Sequence, residues 1–169
     1  AMPWVTNYSD VTQLVAYGPA GKVPVLVTDS GIGLCESFVI ARYLDSLSGG
    51  KLYPSEPGAL ERELRVEGLA AALMDSLFTR ARENRRGATL RSQEVVDLES
   101  ARAARCLNAL NGLVSDISAH RIGGVATACA LGYADWRHRD DGWRRTCGAL
   151  AQWYAETAGL TAYAETAIV

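Results

Sequence analysis

Long apolar runs and signal-peptide features are both missing from this 169-residue sequence. No stretch of about 18 or more apolar residues occurs, and no basic region precedes an apolar one at the N-terminus. The formal net charge of −2 gives no overall field that would attract nucleic acid or an anionic membrane. These absences predict a cytoplasmic protein whose partners are neither nucleic acids nor membranes.

Closely spaced cysteines are missing as well. The four cysteines are far apart in apolar contexts, without a C-x-x-C pair, so we expect free thiols in a reducing compartment. We find no metal-ligand spacing, no glycine-rich phosphate loop and no internal repeat, and therefore predict no metal site. What the sequence does have is 49% apolar residues, enough to bury a core.

The stretch 21–50 carries the clearest local pattern. Residues 22–27 form a β-type run that contains Pro24, which implies a sheet edge, a bulge or a cis bond. Turn residues at 29–31 and a second short strand at 32–34 predict a hairpin, whose return strand leads into a helix near Ser37. Glycines 49 and 50 end that helix. Its predicted apolar face comprises Ile40, Tyr43, Leu44 and Leu47.

The rest of the chain reads as helices. The first is predicted over 60–85, and the second runs from an N-cap at Ser92 to residue 117. Residues 123–134 contain no charge, which indicates a buried central helix, and 142–158 close the bundle. The fold class is therefore α+β, mostly α. His120 and His138 lie in polar surroundings and are expected at the surface.

Two ordered segments then resemble the glutathione S-transferase family. Gly-Lys-Val-Pro-Val-Leu is followed by Leu-Cys-Glu-Ser-Phe-Val-Ile-Ala-Arg-Tyr-Leu-Asp, and Leu52-Tyr53-Pro54 extends the match. The segment Ala-Cys-Ala-Leu-Gly-Tyr-Ala-Asp-Trp-Arg at 128–137 resembles the buried sixth helix of bacterial members. The resemblance implies a truncated thioredoxin-like hairpin–helix part over 1–54 and a complete all-α domain of the family type over 58–169.

The same resemblance implies a glutathione site. In the family the Val-Pro bond is cis, and the backbone of the preceding residue, here Val23 before Pro24, pairs with the cysteinyl part of glutathione. Glu36 and Ser37 would receive the γ-glutamyl group, which agrees with the free N–H groups and positive dipole of a helix N-terminus. The residues alone also fit a plain capped helix with Ser37 as N-cap.

The opening β-α-β unit of the family is not matched, since only about twenty residues precede Gly21 and such a unit needs about 30 or more. In the family that unit carries the catalytic Ser, Tyr or Cys, so no catalytic residue is assigned here. Tyr8, Ser9 and Tyr17 offer hydroxyls without a supporting pattern, and Cys35 fits core packing better than nucleophilic chemistry. Another polypeptide could also supply the unit.

Two functions remain open at this point. One is a glutathione S-transferase-like enzyme that binds glutathione or a related thiol and conjugates it to a small hydrophobic electrophile held near Met74 and Phe78. Without the usual activating residue, its transferase activity is expected to be weak or absent. The alternative is a non-catalytic interaction or regulatory protein of the same family.

Two further expectations concern packing. The hairpin would leave an apolar edge around Val25 and Leu34, so we expect a homodimer or a partner chain to cover it. The family usually opens its sixth helix with a Ser/Thr-x-x-Asp capping box, but the matching positions here are Arg121 and Gly124. That helix is therefore expected to rely on burial or on another group, such as His120.

Overall fold

The computed structural model describes residues 12–166 and divides the chain into two compact units, Ala1–Leu52 and Tyr53–Val169. We call them the hairpin unit and the helical unit. The division falls close to the predicted boundary between 1–54 and 58–169. The prediction of a mostly helical α+β fold with a small hairpin–helix part is confirmed, and no strand occurs in the described residues of the helical unit.

The hairpin unit contains the predicted order of elements. These are α1 (Thr12–Val15), β1 (Val25–Val27), β2 (Gly33–Cys35) and α2 (Ser37–Ser48). The two strands pair antiparallel with Leu26 opposite Leu34. The bond Val23–Pro24 is cis, as predicted.

Helix α2 ends at Gly49, whose positive φ of 92° suits glycine. The buried Asp45 carboxylate then accepts the N–H groups of Lys51 and Leu52 at 2.7 and 2.8 Å.

The segment after α1 packs tightly on the hairpin. A Cβ added to Gly18 would lie 2.8 Å from the Cys35 sulphur, and a Cβ on Gly33 would lie 1.8 Å from the Tyr17 carbonyl oxygen. Such distances leave room only for glycine at both positions. Cys35 therefore packs inside the hairpin unit, as expected.

The helical unit is a bundle around one long helix. Its helices are α3 (Pro57–Asn84), α4 (Gln93–Gly112), α5 (Ile122–Arg137), α6 (Trp143–Thr146), α7 (Gly148–Ala158) and α8 (Thr161–Ala164). Short 3-10 turns cover Val114–Asp116 and Arg139–Asp141. The second helix thus ends earlier than predicted, and the predicted closing helix is divided into α6 and α7. The centre of the core consists of fully buried leucines from four helices, namely Leu73, Leu77, Leu110, Leu131 and Leu150.

Helix starts follow the expected capping chemistry at α3 and α4. Glu56 accepts the N–H groups of Gly58 and Ala59, and these bonds lower the pKa of its carboxyl. Ser92 caps α4 through the N–H of Val95 at 3.3 Å, as predicted. None of the helices in the described residues 12–166 is long and apolar enough to cross a membrane.

The start of α5 is capped from another helix. Its N-cap residue, Arg121, makes no side-chain capping bond. Instead the buried Glu63 of α3 accepts the N–H of Gly123 at 2.5 Å. Burial raises the pKa of the Glu63 carboxyl despite this bond. The cap that the sequence lacks locally is thus supplied by a carboxylate sixty residues away, and not by His120.

The expectation that His138 lies at the surface is wrong. Its ring is buried, and Nε2 lies 2.9 Å from the Leu77 carbonyl oxygen. Because a carbonyl oxygen only accepts, Nε2 must carry the proton. Burial lowers the pKa of His138, so the neutral ring ties the end of α5 to α3.

Candidate functional site

The N-terminus of α2 presents open donors. The helix ladder begins with the Ile40 N–H, which donates to the Glu36 carbonyl at 3.0 Å. No residue within 12–166 accepts the preceding N–H groups, at positions 37–39, and the Ser37 hydroxyl also has no partner there. Glu36 and Ser37 are both exposed. An uncapped helix start of this kind can receive a carboxylate.

Glu36 occupies the N-cap position in an unusual backbone conformation. Its φ of 73° is the only positive value among the described non-glycine residues, and its ψ is 129°. A side chain in this region is held against a conformational cost, which is characteristic of ligand-binding positions. Ser37 is consequently the first helical residue and not the N-cap that the plain reading gave it.

Val23 offers backbone groups before the first strand. It is half-exposed, and its N–H and carbonyl make no backbone hydrogen bond to any residue that the structure describes. The pairing of β1 with β2 begins only at Val25, opposite Cys35. Val23 therefore has a free donor and a free acceptor that could pair with an extended peptide.

A second candidate site lies inside the helical unit. A cavity of about 600 Å³, within the usual range for small-molecule pockets, opens between α5, α7 and the C-terminal segment. Its walls combine aromatic rings with small or flexible apolar side chains. Those used below are Met74, Cys129, Tyr133, Trp136, Tyr154 and Tyr163.

Aromatic packing shapes the cavity wall. Tyr133 lies edge-on to Trp136, with 5.9 Å between the ring centroids, and the Arg137 guanidinium covers the Trp136 ring at 3.3 Å. The Tyr163 hydroxyl donates to the Ala119 carbonyl oxygen at 2.5 Å, which fixes α8 to the α4–α5 connection. The walls are therefore held by contacts within the helical unit.

The thiol and phenols of the cavity are not activated. Desolvation by neighbouring side chains raises the pKa of the hydroxyls of Tyr154 and Tyr163 and of the Cys129 thiol, although Cys129 remains exposed to solvent. A thiol whose pKa is raised stays protonated at neutral pH and is a poor nucleophile. The cavity therefore suits binding and gives no sign of covalent chemistry at Cys129.

The two residues predicted for the second-substrate pocket, Met74 and Phe78, have different positions relative to the cavity. Met74 lines the cavity. Phe78, one turn further along α3, is 44% exposed and packs beside Tyr133 with 6.5 Å between ring centroids. Of the hydroxyls considered as thiol activators, Tyr17 is exposed, whereas Tyr8 and Ser9 lie outside the described residues.

Sequence reasoning missed Tyr154 and Tyr163 as cavity residues. Tyr154 lies within the stretch 142–158 that was predicted to close the bundle, and its ring packs on Trp143 with 6.2 Å between the ring centroids. Tyr163 lies beyond that helix, in a segment too short to show periodicity.

The comparisons with known proteins agree with this architecture. Residues 2–47 match the family model described as glutathione S-transferase, N-terminal domain. The uncharacterized GST-like protein YibF of Escherichia coli K12 is 30% identical over 141 residues, which cover 80% of this chain and 70% of that protein.

Solved structures extend the comparison. A glutathione transferase family member from Pseudomonas fluorescens Pf-5, crystallised with glutathione, is 32% identical with a TM-score of 0.88 over 93% of this chain and 78% of its own. The same protein was also crystallised with S-(propanoic acid)-glutathione. A glutathione S-transferase from Methylobacillus flagellatus KT with glutathione bound is 26% identical, with a TM-score of 0.85 over 92% of this chain and 80% of its own. The chain belongs to the glutathione S-transferase family.

Proposed function

We propose that the protein binds glutathione through the hairpin unit and holds a small, largely hydrophobic electrophile in the cavity of the helical unit. The observation that carries the proposal is the uncapped start of α2, where the strained Glu36 stands beside the free Ser37 hydroxyl and free N–H groups. A γ-glutamyl group carries a carboxylate and an ammonium on one carbon. The N–H groups and Ser37 suit the carboxylate, and the Glu36 carboxylate suits the ammonium.

The backbone of Val23 offers hydrogen bonds to the cysteinyl part of glutathione. An extended cysteinyl residue can donate to the Val23 carbonyl and accept from its N–H, as an added strand does. In a conjugation, the glutathione sulphur would lose its proton to solvent and form a C–S bond. A halide or similar group would then leave the electrophile with the bonding electrons.

We expect Ser37→Ala to weaken glutathione binding about 10-fold, the usual effect of losing a hydrogen bond to a charged group. Glu36→Gln should weaken it to a similar extent. Isothermal titration calorimetry with glutathione measures both. Ser46→Ala is the matched control, because Ser46 lies on the same helix and its hydroxyl bonds, among residues 12–166, only to the Tyr43 carbonyl oxygen. The proposal fails if Ser37→Ala binds like wild type, or if the dipeptide Cys-Gly binds as tightly as glutathione.

The non-catalytic alternative needs a separate test, since binding and turnover are independent. Protein retained on glutathione resin should be assayed with a chloronitrobenzene as the electrophile. Turnover above the uncatalysed rate supports the enzyme, whereas retention without turnover supports an interaction or regulatory role within the same family.

We also propose that the protein is a homodimer. Large apolar side chains remain exposed on α2 and the hairpin, at Val23, Ile32, Val39, Leu44 and Leu47. Val25 and Leu34 themselves are only partly exposed, so the apolar surface lies beside the hairpin edge that we expected. Light scattering at micromolar concentration should give twice the mass of the chain, and Leu47→Glu should shift the protein to monomer. A stable wild-type monomer contradicts this proposal.

A further inference from the structure

Two charged side chains line the cavity of the helical unit, Asp135 and Arg139, and they differ in whether an opposite charge pairs with them. Asp135 is paired with Arg144, whose guanidinium donates to one carboxylate oxygen at 2.5 Å, while the other oxygen accepts the Trp143 indole N–H at 2.9 Å. Arg139 is not paired in this way. Its Nε donates to the Asp135 carbonyl oxygen at 3.2 Å, and its two terminal nitrogens have no partner among residues 12–166. Arg139 therefore presents to the cavity an exposed guanidinium that no carboxylate among residues 12–166 pairs.

A second donor in the cavity is also free. The Tyr154 hydroxyl makes no hydrogen bond to any residue in the described part of the chain, although the ring is held between Trp143 and Arg144. It lies above Gly132, where an added Cβ would approach the hydroxyl oxygen to 3.0 Å. The absence of a side chain at Gly132 thus leaves open the space in front of this hydroxyl.

The remaining walls suit a flat ring. Trp136 is 40% exposed, with Arg137 over one face of its ring and Tyr133 edge-on to it, so a planar ligand can contact the aromatic surface that these two neighbours leave open. Met74 and Cys129 add apolar surface of adaptable shape. The combination offers aromatic and apolar contacts together with two hydrogen-bond donors, one of them cationic.

We propose that this cavity selects a planar aromatic compound that carries an anionic acceptor group such as a carboxylate, with Arg139 pairing the anion and Tyr154 donating a second hydrogen bond. This inference rests on the proposed function in treating the cavity as the electrophile site, and it names the chemical class of that electrophile. Arg139 and Tyr154 are specificity residues in this assignment. A guanidinium recognises a carboxylate by charge and by paired N–H groups, which a neutral analogue engages far less well.

The test compares two probes that differ mainly in charge, 2-naphthoate and 2-naphthamide, by isothermal titration calorimetry. Wild-type protein should bind the naphthoate at least about 10-fold more tightly, as expected for a charge-assisted hydrogen bond. Arg139→Met should remove this preference and leave naphthamide binding within about 2-fold of wild type. Tyr154→Phe should weaken both probes. Arg145→Met, another exposed arginine outside the cavity lining, is the matched control and should change neither.

Two further variants locate the site. Cys129→Phe places a ring inside the cavity and should abolish binding of both probes, whereas Arg139→Lys retains the charge and should recover part of the preference. Unfolding in urea checks that each variant is folded. The proposal is overturned if wild type binds the two probes equally or not at all, if Arg139→Met keeps the preference, or if Cys129→Phe binds naphthoate normally.

Failure here is distinguishable from failure of the proposed function, because the naphthoate titration contains no glutathione and the glutathione titration contains no naphthoate. Naphthoate preference without glutathione binding would overturn the transferase-like function and support the cavity assignment. Glutathione binding with no naphthoate preference would overturn the cavity assignment and support the proposed glutathione binding.

Discussion

Gly124→Ala is expected to destabilise the helical unit by about 3 kcal/mol, near the upper end of the cost of overpacking a core. A Cβ at this position would lie 2.0 Å from the Ser118 carbonyl oxygen and 3.1 Å from the Ala119 Cα. Both atoms belong to the backbone, so no side-chain rotation relieves the contact. The start of α5 would have to move away from the preceding turn. Urea denaturation followed by circular dichroism measures the loss.

Gly68→Ala is the matched control for this prediction. Gly68 lies inside α3 and is exposed, and apart from its own helix backbone no described residue comes within 4 Å of the position that a Cβ would take. Alanine should therefore stabilise the protein by up to about 1 kcal/mol, the difference in helix propensity. Equal effects of the two substitutions would show that the close approach at Gly124 does not determine stability.

Glu63→Ala should cost about 2 to 3 kcal/mol, which combines a lost helix cap with a buried N–H left unpaired. The carboxylate accepts the Gly123 N–H inside the protein, and a Cβ on Gly123 would come within 2.8 Å of the same oxygen. Glu61→Ala, two positions earlier on the same helix and exposed, should change stability little.

We expect Glu63 to stabilise the fold through its carboxyl oxygen, as a hydrogen-bond acceptor, more than through its negative charge. Burial raises the carboxyl pKa above its ordinary 4.5, so the folded state holds the proton more tightly than the unfolded state. This tighter proton binding adds to the free energy of unfolding. The contribution is complete below pH 4.5 and is lost as the pH rises through the raised pKa of Glu63 in the folded state. Glu63→Gln keeps an acceptor and should remove that loss. The stability of Glu63→Gln relative to wild type should therefore increase with pH across this range, and a constant difference in urea midpoints would contradict this account.

Local signals allowed the hairpin unit to be predicted well. Each of these signals involves only a few neighbouring residues: Pro24 within a β-type run, the turn at 29–31, and the glycines after α2. The structure has the hairpin and the helix end that they predict. The N-cap of α2 was misplaced by one residue, because glutamate at a positive φ contradicts its ordinary preference. A conformation that a side chain disfavours has no propensity signal in the sequence.

Contacts between distant residues were not predictable in the same way. Glu63 resembled any polar residue on the exposed face of a long helix, and its partner Gly123 is reached only through the packing of α3 on α5. His138 looked like a surface residue for the same reason, although its ring is bonded to Leu77. The aromatic side of the cavity combines α5 with α7 and α8, and α8 is only four residues long. Periodicity cannot detect so short a helix.

The backbone of Glu36 has a consequence for how this sequence can change. Glycine or asparagine at position 36 would adopt a φ of 73° at lower conformational cost, so mutation toward either would relieve the fold. Both would also discard the carboxylate. Glutamate at this position carries a conformational cost, which a role of its carboxylate in ligand binding would explain. Under the proposed glutathione binding, a glycine or asparagine at this position in a related sequence would mark a protein whose α2 offers no carboxylate to the ammonium group of the ligand.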